Sequence, residues 1–440
     1  MDSLCSFTYW VLLMKKLLKH KRILIVYFLI ISILFLLTEC VNNENKKQTI
    51  IKENSSAQII NTVTYDQFAG SQVCGNCHKT ISDSYSYTAH FYTSQPASAK
   101  TIKGSFINGK NSFKYDIGKI VSLEKQKDSF YQVYYHQNKE VVKRRFDIVI
   151  GSGKNGQTYL SWIDNHLIEL PVSYFTQVHQ WANSPGYPLS PIIFNRPVTA
   201  RCLECHSTYV QTVNYNPDIP PVFDSTKMIL TVGCEKCHGP AAKHVAYELQ
   251  HSGDSAGMFI VNPAKLSRQL SLDVCALCHS GRLQQITDPF QFEAGDSISL
   301  FFEITNAAKK AGIMDVHGNQ LGVLSASKCF QLSKTMTCIT CHDPHKNETG
   351  NALLFSQRCM NCHTSRHKTI EGLSNALLTN NCIDCHMPLQ ESTSISFLLQ
   401  NREQPVNAVM RTHYITVYSD ETKKFIERNS SLQKKKSQVQ

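Results

Sequence analysis

Residues 234–238, Cys234-Glu-Lys-Cys-His238, are one copy of a pattern in which two cysteines are separated by two residues and followed directly by a histidine. The chain has 440 residues, and seven copies of the pattern take all but three of its 17 cysteines. The cysteine pairs are Cys74 and Cys77, Cys202 and Cys205, Cys234 and Cys237, Cys275 and Cys278, Cys338 and Cys341, Cys359 and Cys362, and Cys382 and Cys385. The histidines that close them are His78, His206, His238, His279, His342, His363 and His386. Most of the cysteines in the chain therefore belong to one repeated motif.

The spacing within each motif predicts covalently attached haem. Two cysteines three positions apart lie on one side of a helical turn, where both can form thioether bonds to the haem vinyl groups, and the next histidine is held under the iron as the proximal ligand. A four-cysteine zinc site needs no histidine after each pair, and a thioredoxin-like fold uses a single redox pair. The sequence therefore predicts seven haem c groups, with each motif opening a helical turn that presents its histidine.

The sixth iron ligand decides between two kinds of function. An iron with two histidines is saturated and suits electron transfer, whereas an open iron can bind a substrate. Outside the motifs and the N-terminal leader there are ten histidines for seven irons, so the supply suffices for two on every iron; they are His90, His136, His166, His179, His244, His251, His317, His345, His367 and His413.

Position in the sequence distinguishes some of these ten histidines. His345 and His367 lie three and four residues after a proximal histidine, so each starts on the proximal side of its own haem and would have to bind a neighbouring one. The same argument applies to His244, and a solvated surface histidine is the alternative for all three. His136 and His166 fall in predicted hairpin turns, where a surface position is favoured over ligation. His179 and His317 remain as further candidate distal ligands.

A basic and apolar leader indicates export. Residues 15–22 carry five lysine and arginine side chains, the apolar run Ile23–Leu37 follows, and Cys40 comes next. The run is shorter than the ~20 residues of a comfortable membrane span. Either the leader is cleaved before Cys40 and this cysteine is lipidated, as in a bacterial lipoprotein, or the segment stays as an uncleaved anchor; simple cleavage to a soluble form is less favoured. Both favoured outcomes predict a membrane-anchored protein in the bacterial cell envelope, with most of the chain outside the cytoplasm.

The net charge of +11 has a simple explanation. Seven haems would add about fourteen propionate carboxylates, which lysine and arginine can pair. The positive surplus is therefore interpreted as counter-charge to the haems, and no partner of the nucleic-acid class is expected.

The motifs divide the chain unevenly. The interval from Cys74 to Cys202 is 128 residues, and six motifs then follow within residues 202–386. We expect a signal or anchor segment at 1–40, a polar tether at 41–65, a first haem module at 66–100, a β-rich insert at 101–195, a six-haem domain at 196–415 and a polar, frayed tail at 416–440. Within the insert, segments rich in aromatic and β-branched residues predict one hairpin across Phe130–Tyr135 and Val141–Ile150, and another across Tyr159–Ile163 and Leu167–Leu170 that turns at Asp164-Asn165. The fold class expected is α+β, with short helices and loops packed around a haem array.

Several segments resemble the cytochrome c-554 family of multihaem proteins. They are Gly70-Ser-Gln-Val-Cys-Gly-Asn-Cys-His with the later His90, Gly233-Cys-Glu-Lys-Cys-His-Gly-Pro with His244, Met336-Thr-Cys-Ile-Thr-Cys-His-Asp-Pro-His345, and Cys382-Ile-Asp-Cys-His-Met-Pro with His413. The resemblance covers roughly residues 66–415 and implies that His90, His244, His345 and His413 are distal ligands to haems bound elsewhere in the array. The tetrahaem members of that family lack the long β-rich insert, so their partners do not carry over to this chain.

Together these features predict an exported heptahaem c-type cytochrome that passes electrons between redox protein partners in the cell envelope, rather than an enzyme. The alternative is a multihaem oxidoreductase in which one open haem acts on a small nitrogen or sulfur compound. A scaffold subunit of a larger cytochrome complex, docked through the insert, is compatible with either.

Overall fold

The computed structural model describes residues 62–253, 257–304, 318–363, 373–400, 402 and 404–437. The leader, the tether up to residue 61, His317 and His367 lie outside the described residues. Thr62–Gln440 cluster as one unit by their contacts. Among the helices of the described part, none is both long and apolar enough to cross a membrane.

Most helices are short and many carry a motif. The α-helices are α1 Ser71–Cys77, α2 Lys79–Tyr85, α3 Ala200–His206, α4 Cys234–His238, α5 Ala242–Glu248, α6 Arg268–His279, α7 Gln320–Ser325, α8 Lys328–Leu332, α9 Ala352–Met360, α10 Asn375–Asn380, α11 Cys382–His386 and α12 Ser419–Ser437. Short 3-10 turns are formed by Tyr65–Gln67, Pro263–Lys265, Ile298–Leu300 and Cys338–Thr340.

Strands fill the interval between the first two motifs and recur in pairs after it. They are β1 Ser94–Pro96, β2 Ser112–Asp116, β3 Lys119–Gln126, β4 Ser129–His136, β5 Lys139–Arg145, β6 Ile148–Ile150, β7 Gly156–Ile163, β8 His166–Glu169, β9 Val172–Phe175, β10 Gln180–Asn183, β11 Arg196–Pro197, β12 Ser207–Val213, β13 Val222–Leu230, β14 Leu283–Gln285, β15 Phe302–Ile304, β16 Leu389–Phe397 and β17 Val406–Arg411.

Two antiparallel sheets make up the region from residue 94 to 197. One is the meander β2-β3-β4-β5, and the other has the order β1-β6-β7-β8-β11, with β9 paired to β7 and β10 to β9. Both predicted hairpins form, as β4–β5 and β7–β8. The expected strand Val141–Ile150 is divided, because the side chain of Asp147 accepts a hydrogen bond from the Trp162 amide at 2.7 Å and bends the chain between β5 and β6.

The main apolar core lies between these two sheets. Phe113 and Leu123 of the meander share one buried cluster with Tyr159 and Trp181 of the larger sheet. The loop residue Gly104 lies flat on the Trp181 indole, where a Cβ would come within 2.0 Å of the ring. No side chain fits at that position without moving the tryptophan.

The C-terminal segment differs from the expected frayed tail, since Ser419–Ser437 form the 19-residue helix α12. Phe425 of this helix is only 5% exposed. Asp420 and Glu421 lie in its first turn, where negative charge stabilises a helix. One buried aromatic side chain and a favourable end charge explain why a polar segment holds a helix.

Candidate functional site

The motifs lie on helical turns, as their spacing predicts. The first ends α1, the second lies in α3, the third and seventh form α4 and α11, and the fourth ends α6. The fifth adopts a 3-10 turn at Cys338–Thr340, and the sixth straddles the end of α9. Every described cysteine, Cys329 included, is free of disulfide bonds. The motif thiols are therefore available for thioether bonds.

Three pairs of imidazole rings lie close together, with interplanar angles of 73°, 20° and 33°. His90 and His279 have ring centroids 6.1 Å apart, His238 and His345 are 6.0 Å apart, and His342 and His413 are 6.1 Å apart. In each pair one histidine closes a motif, and the other comes from a segment distant in sequence. The three distant members, His90, His345 and His413, are among the four histidines that the family resemblance implied as distal ligands.

The separation fits one iron between two rings. A metal–imidazole bond is about 2 Å long and the ring centre lies about 1 Å behind the nitrogen, so two imidazoles that held one iron between them would have ring centres about 6 Å apart. Each histidine pair would thus supply the two protein ligands of a haem iron. Among the described residues no group of three or more histidine, cysteine, aspartate or glutamate side chains forms an alternative metal cluster. The donor set therefore fits haem iron.

Five of the six paired rings have pKa values below the usual histidine value, which favours their neutral form near pH 7. Burial lowers the pKa of His279 to about 4, with the neighbouring His90 adding to the effect, and burial also lowers the pKa of His413 to about 4. Burial is likewise the main reason why the pKa values of His90, His238 and His342 are lowered. Only a neutral imidazole offers a lone pair to a metal, so the protonation state suits ligation.

Burial and accessibility differ at some of these rings. His90, His279 and His342 lie deep enough for burial to lower their pKa values, yet all three residues remain accessible to solvent. Neighbouring atoms therefore partly desolvate these rings without covering them completely.

Backbone carbonyls fix the orientation of several histidines. The Nδ1 atom of His238 lies 2.8 Å from the Val261 carbonyl oxygen, and that of His386 lies 2.9 Å from the Thr416 oxygen. A carbonyl oxygen only accepts, so Nδ1 carries the proton and Nε2 keeps its lone pair in the neutral ring. This is the usual arrangement behind a metal-binding histidine. His244 has the same contact, at 2.8 Å to the Met258 oxygen.

Motif cysteines from different parts of the chain are close neighbours. In four pairs of motif cysteines, interaction with the second thiol raises the pKa of the first; the pairs are Cys74 with Cys234, Cys205 with Cys278, Cys275 with Cys338, and Cys359 with Cys382. These contacts join the first motif to the third, the second to the fourth, the fourth to the fifth, and the sixth to the seventh.

Polar side chains connect the remaining motifs. Arg358, directly before the sixth motif, donates to the carbonyl oxygen of Cys341 in the fifth at 2.7 Å and to Glu348 at 2.6 Å. Lys236 of the third motif is half-buried, desolvation lowers its pKa, and the nearby Cys278, Glu204 and Cys205 oppose this shift. All seven motifs therefore belong to one connected group.

Charged residues in and directly before the motifs form a partly buried cluster that the sequence patterns above do not indicate. Glu204 is 1% exposed and accepts from the Phe290 amide at 2.7 Å and from Arg201 at 3.4 Å. Arg201 also donates to the carbonyl oxygen of Leu277, between the cysteines of the fourth motif. The available signal was the presence of Glu204 and Lys236 at the variable positions between motif cysteines, where most of the other motifs have smaller or uncharged residues.

Among the described residues, these ring pairs do not include the motif histidines His78 and His363 or the candidates His136, His166, His179 and His244. The proximal candidates His78, His206, His363 and His386 occupy their motifs, and His244 lies half-buried in α5. His179 is exposed in the turn between β9 and β10. His136 is exposed at the end of β4, and His166 contacts the Pro221 carbonyl at 2.9 Å.

Comparison with known families agrees with this arrangement over part of the chain. Residues 193–239, which hold the second and third motifs, match the family described as cytochrome c554 and c-prime. With the motif geometry, this match supports a c-type cytochrome that binds several haem c groups covalently.

A curated relative supports the same class. The chain is 24% identical over 179 residues to the protein named multiheme cytochrome MtrA of Shewanella baltica (strain OS185), which is 38% of this chain and 52% of that protein. The chain thus matches about half the length of this relative. No solved structure matched the chain.

Proposed function

We propose that this protein is a heptahaem electron carrier, in which the seven motifs bind haem c and pass electrons between redox partners. The observation that carries the proposal is the set of three imidazole pairs with ring centres 6.0–6.1 Å apart, each joining a motif to a remote segment. Two histidines on an iron leave no position for a substrate. Haem bound at these sites supplies one-electron chemistry between ferric and ferrous iron.

The connections between motifs give the proposed path. Contacts between successive members connect the motifs in the order first, third, fourth, fifth, sixth and seventh. The second motif contacts the fourth and forms a side branch. The chain therefore holds all of its motifs as neighbours instead of as separate modules. An electron carrier needs neighbouring haem sites, because each electron transfer requires a nearby acceptor. A single catalytic haem has no such requirement.

The ligand assignment supports the proposal and can be tested at His413. We propose that His413 is the distal ligand of the haem whose proximal ligand is His342, that His345 pairs with His238, and that His90 pairs with His279. His413→Ala should convert one haem from low-spin to high-spin in the electron paramagnetic resonance spectrum, and the other six should be unchanged. The reduced variant should then bind about one carbon monoxide per chain.

The matched control is His136→Ala, since His136 is exposed at a hairpin end away from the motifs. It should leave the spectrum unchanged. An unchanged electron paramagnetic resonance spectrum in His413→Ala would contradict the ligand assignment. Binding of carbon monoxide by the unmodified protein would instead reveal an open iron and favour the alternative oxidoreductase.

Export and anchoring are part of the proposal and rest on the leader alone. The apolar run Ile23–Leu37 and Cys40 would hold the protein on a membrane, with the motifs outside the cytoplasm. Cys40→Ala should abolish acylation and processing if the protein is a lipoprotein, and should leave the membrane-bound form unchanged if the leader is a retained anchor. Full recovery of the unmodified protein in the soluble periplasm would contradict both routes.

A further inference from the structure

A cavity of about 280 Å³ lies beside the segment that carries His90, and no part of the proposed function uses it. One wall is formed by residues 92–103 and the other by the turn between β6 and β7. The Gly151 amide donates to the Thr93 carbonyl oxygen at 2.7 Å, so the two walls are joined directly. The buried side chain of Val149 lies at its base.

A single buried amide holds the two walls at a fixed separation. Gln157 is 5% exposed, and its Oε1 accepts from the Lys103 amide at 2.8 Å. Its Nε2 donates to the Thr101 carbonyl at 2.9 Å and to the Gly151 carbonyl at 3.4 Å. The hydrogen bonds of this buried residue of β7 therefore connect both walls of the cavity.

The lining of the cavity is cationic. Lys100 and Lys103 are its charged residues, and no carboxylate lines it. Within the described part of the chain, neither lysine forms an ion pair. Lys103 lies along Gly153, where a Cβ would come within 2.7 Å of its Cγ atom, and Gly153 has a φ of +79° that favours glycine. The turn thus leaves room for the lysine side chain at the cavity wall.

Hydroxyl and amide groups complete a set of donors. Thr101, Ser152 and Gln95 share the lining with the two lysines. Two ammonium groups beside neutral donors favour an anion, because charge-assisted hydrogen bonds are about twice as strong as neutral ones. The volume lies below the range of about 300–1,000 Å³ that is typical of sites for drug-sized ligands, which limits the ligand to a small group.

We propose that this cavity, between Lys100, Lys103 and the Gly151–Gly153 turn, binds a carboxylate or a small oxyanion beside the His90–His279 pair. Tyr92 lines the cavity and lies two residues after His90, so the anion would be adjacent to that pair. The anion can come from two sources with the same chemistry. One is a propionate of the haem bound there, which rests on the proposed function, and the other is a free oxyanion from solution.

The experiment uses the holoprotein and the double variant Lys100→Gln/Lys103→Gln. Binding of inorganic phosphate is measured by calorimetry, and the midpoint potentials of the haems by spectroelectrochemical titration. If the anion is free, phosphate binds the unmodified protein and binds the variant roughly tenfold or more weakly. If it is a propionate, phosphate does not bind, and the variant lowers the potential of one haem, because lost positive charge favours the oxidised state.

Lys110→Gln is the matched control. Lys110 is an exposed lysine on the same connecting segment, does not line the cavity and changes the net charge by the same amount per site. The proposal is overturned if the double variant changes neither phosphate binding nor the haem potentials. It is also overturned if Lys110→Gln alone produces half of the effect of the double variant. Haem content, determined separately by mass, shows whether the proposed function itself has failed, so the two failures are distinguishable. Both cavity lysines are exposed, and unchanged thermal unfolding would confirm that the variant is folded.

Discussion

Two regions of similar length differ sharply in what holds them together. The β region, residues 94–197, has twenty buried apolar side chains, whereas the described part of the last motif region, residues 318–437, has six, namely Val323, Phe330, Leu373, Phe397, Leu399 and Phe425. The β region is therefore stabilised by its own apolar core. The last motif region instead presents cysteines, histidines and polar connections such as Arg358 with Glu348.

This difference indicates which parts of the chain depend on the cofactor. A buried apolar side chain contributes about 1.5–3 kcal/mol, so six of them provide little against the entropy of ordering a hundred residues. A porphyrin is a large apolar surface that motif residues can enclose. The β region should therefore fold without haem, and the last motif region should require it.

The largest expected effect is the response to loss of haem attachment. In protein produced without covalent haem, residues 318–437 should lose nearly all protection against amide hydrogen exchange, while residues 113–174 of the β region keep most of theirs. Exchange followed by mass spectrometry of peptides measures both regions in one sample. Equal loss in the two regions would show that the β region has no independent core.

A core substitution should have the opposite pattern. Tyr159 is fully buried and stacks on Phe146 with ring centroids 4.3 Å apart, so Tyr159→Ala should destabilise the β region by about 3–5 kcal/mol without changing the haem spectrum. Tyr159→Phe is the control, since it removes only the hydroxyl contact to Gln157 at 3.2 Å and should cost about 1 kcal/mol. Chemical denaturation followed by tryptophan fluorescence measures both. A haem spectrum that changes with Tyr159→Ala would contradict the separation of the two regions.

A pH effect should also be confined to the β region. Burial raises the pKa of Glu169 to about 6, against the opposing effect of Arg196. The pKa of Glu169 is higher in the folded than in the unfolded protein. Ionisation of Glu169 therefore lowers the free energy of unfolding as the pH rises through about 6, and this loss is absent at low pH. Relative to the unmodified protein, the free energy of unfolding of Glu169→Gln should therefore increase by about 1–2 kcal/mol between pH 5 and pH 8. Thermal unfolding at the two pH values is the measurement, with the exposed Glu140→Gln as the control; an equal gain at both pH values would argue against ionisation as the cause.

The smallest expected effect concerns charge between motifs. Arg201 lies 5.0 Å from the Phe302 ring centroid and pairs with the buried Glu204. Arg201→Gln should lower the reduction potential of one or two haems near the second and fourth motifs by about 1 kcal/mol per electron, because a nearby positive charge stabilises the reduced state. Arg201→Lys keeps the charge and should restore most of the potential in a spectroelectrochemical titration. Potentials that stay unchanged in Arg201→Gln would show that this cluster is only structural.

Local patterns predicted much of the fold, and distant contacts account for what they did not. Aromatic and β-branched residues around Phe130 and Tyr159 indicated both hairpins, because such residues are enriched in strands and the turn residues between them are local in sequence. The division at Asp147 depends on Trp162, fifteen residues away, and so was not visible. Helix α12 was missed because a single buried phenylalanine does not form a periodic pattern.

Those parts of the site that consist of contiguous residues could be predicted from the sequence. Cys-x-x-Cys-His specifies the proximal half of each haem site by itself, whereas a distal ligand comes from a different segment. Counting ten spare histidines could not select among them, and the pairing of His342 with His413 is visible only in three dimensions. The cluster of Arg201, Glu204 and Lys236 likewise joins separate motifs, so no stretch of sequence indicates it.

The most direct test of the account is the intact mass of the purified mature protein under denaturing, acidic conditions. Its N-terminus is first fixed by peptide sequencing, so that the mass of the bare chain is known. The account predicts a chain heavier by seven haem groups, none of which is removed by acid-acetone extraction, because thioether bonds survive that treatment. A chain of unmodified mass, with extractable haem or with zinc in place of iron, would contradict it.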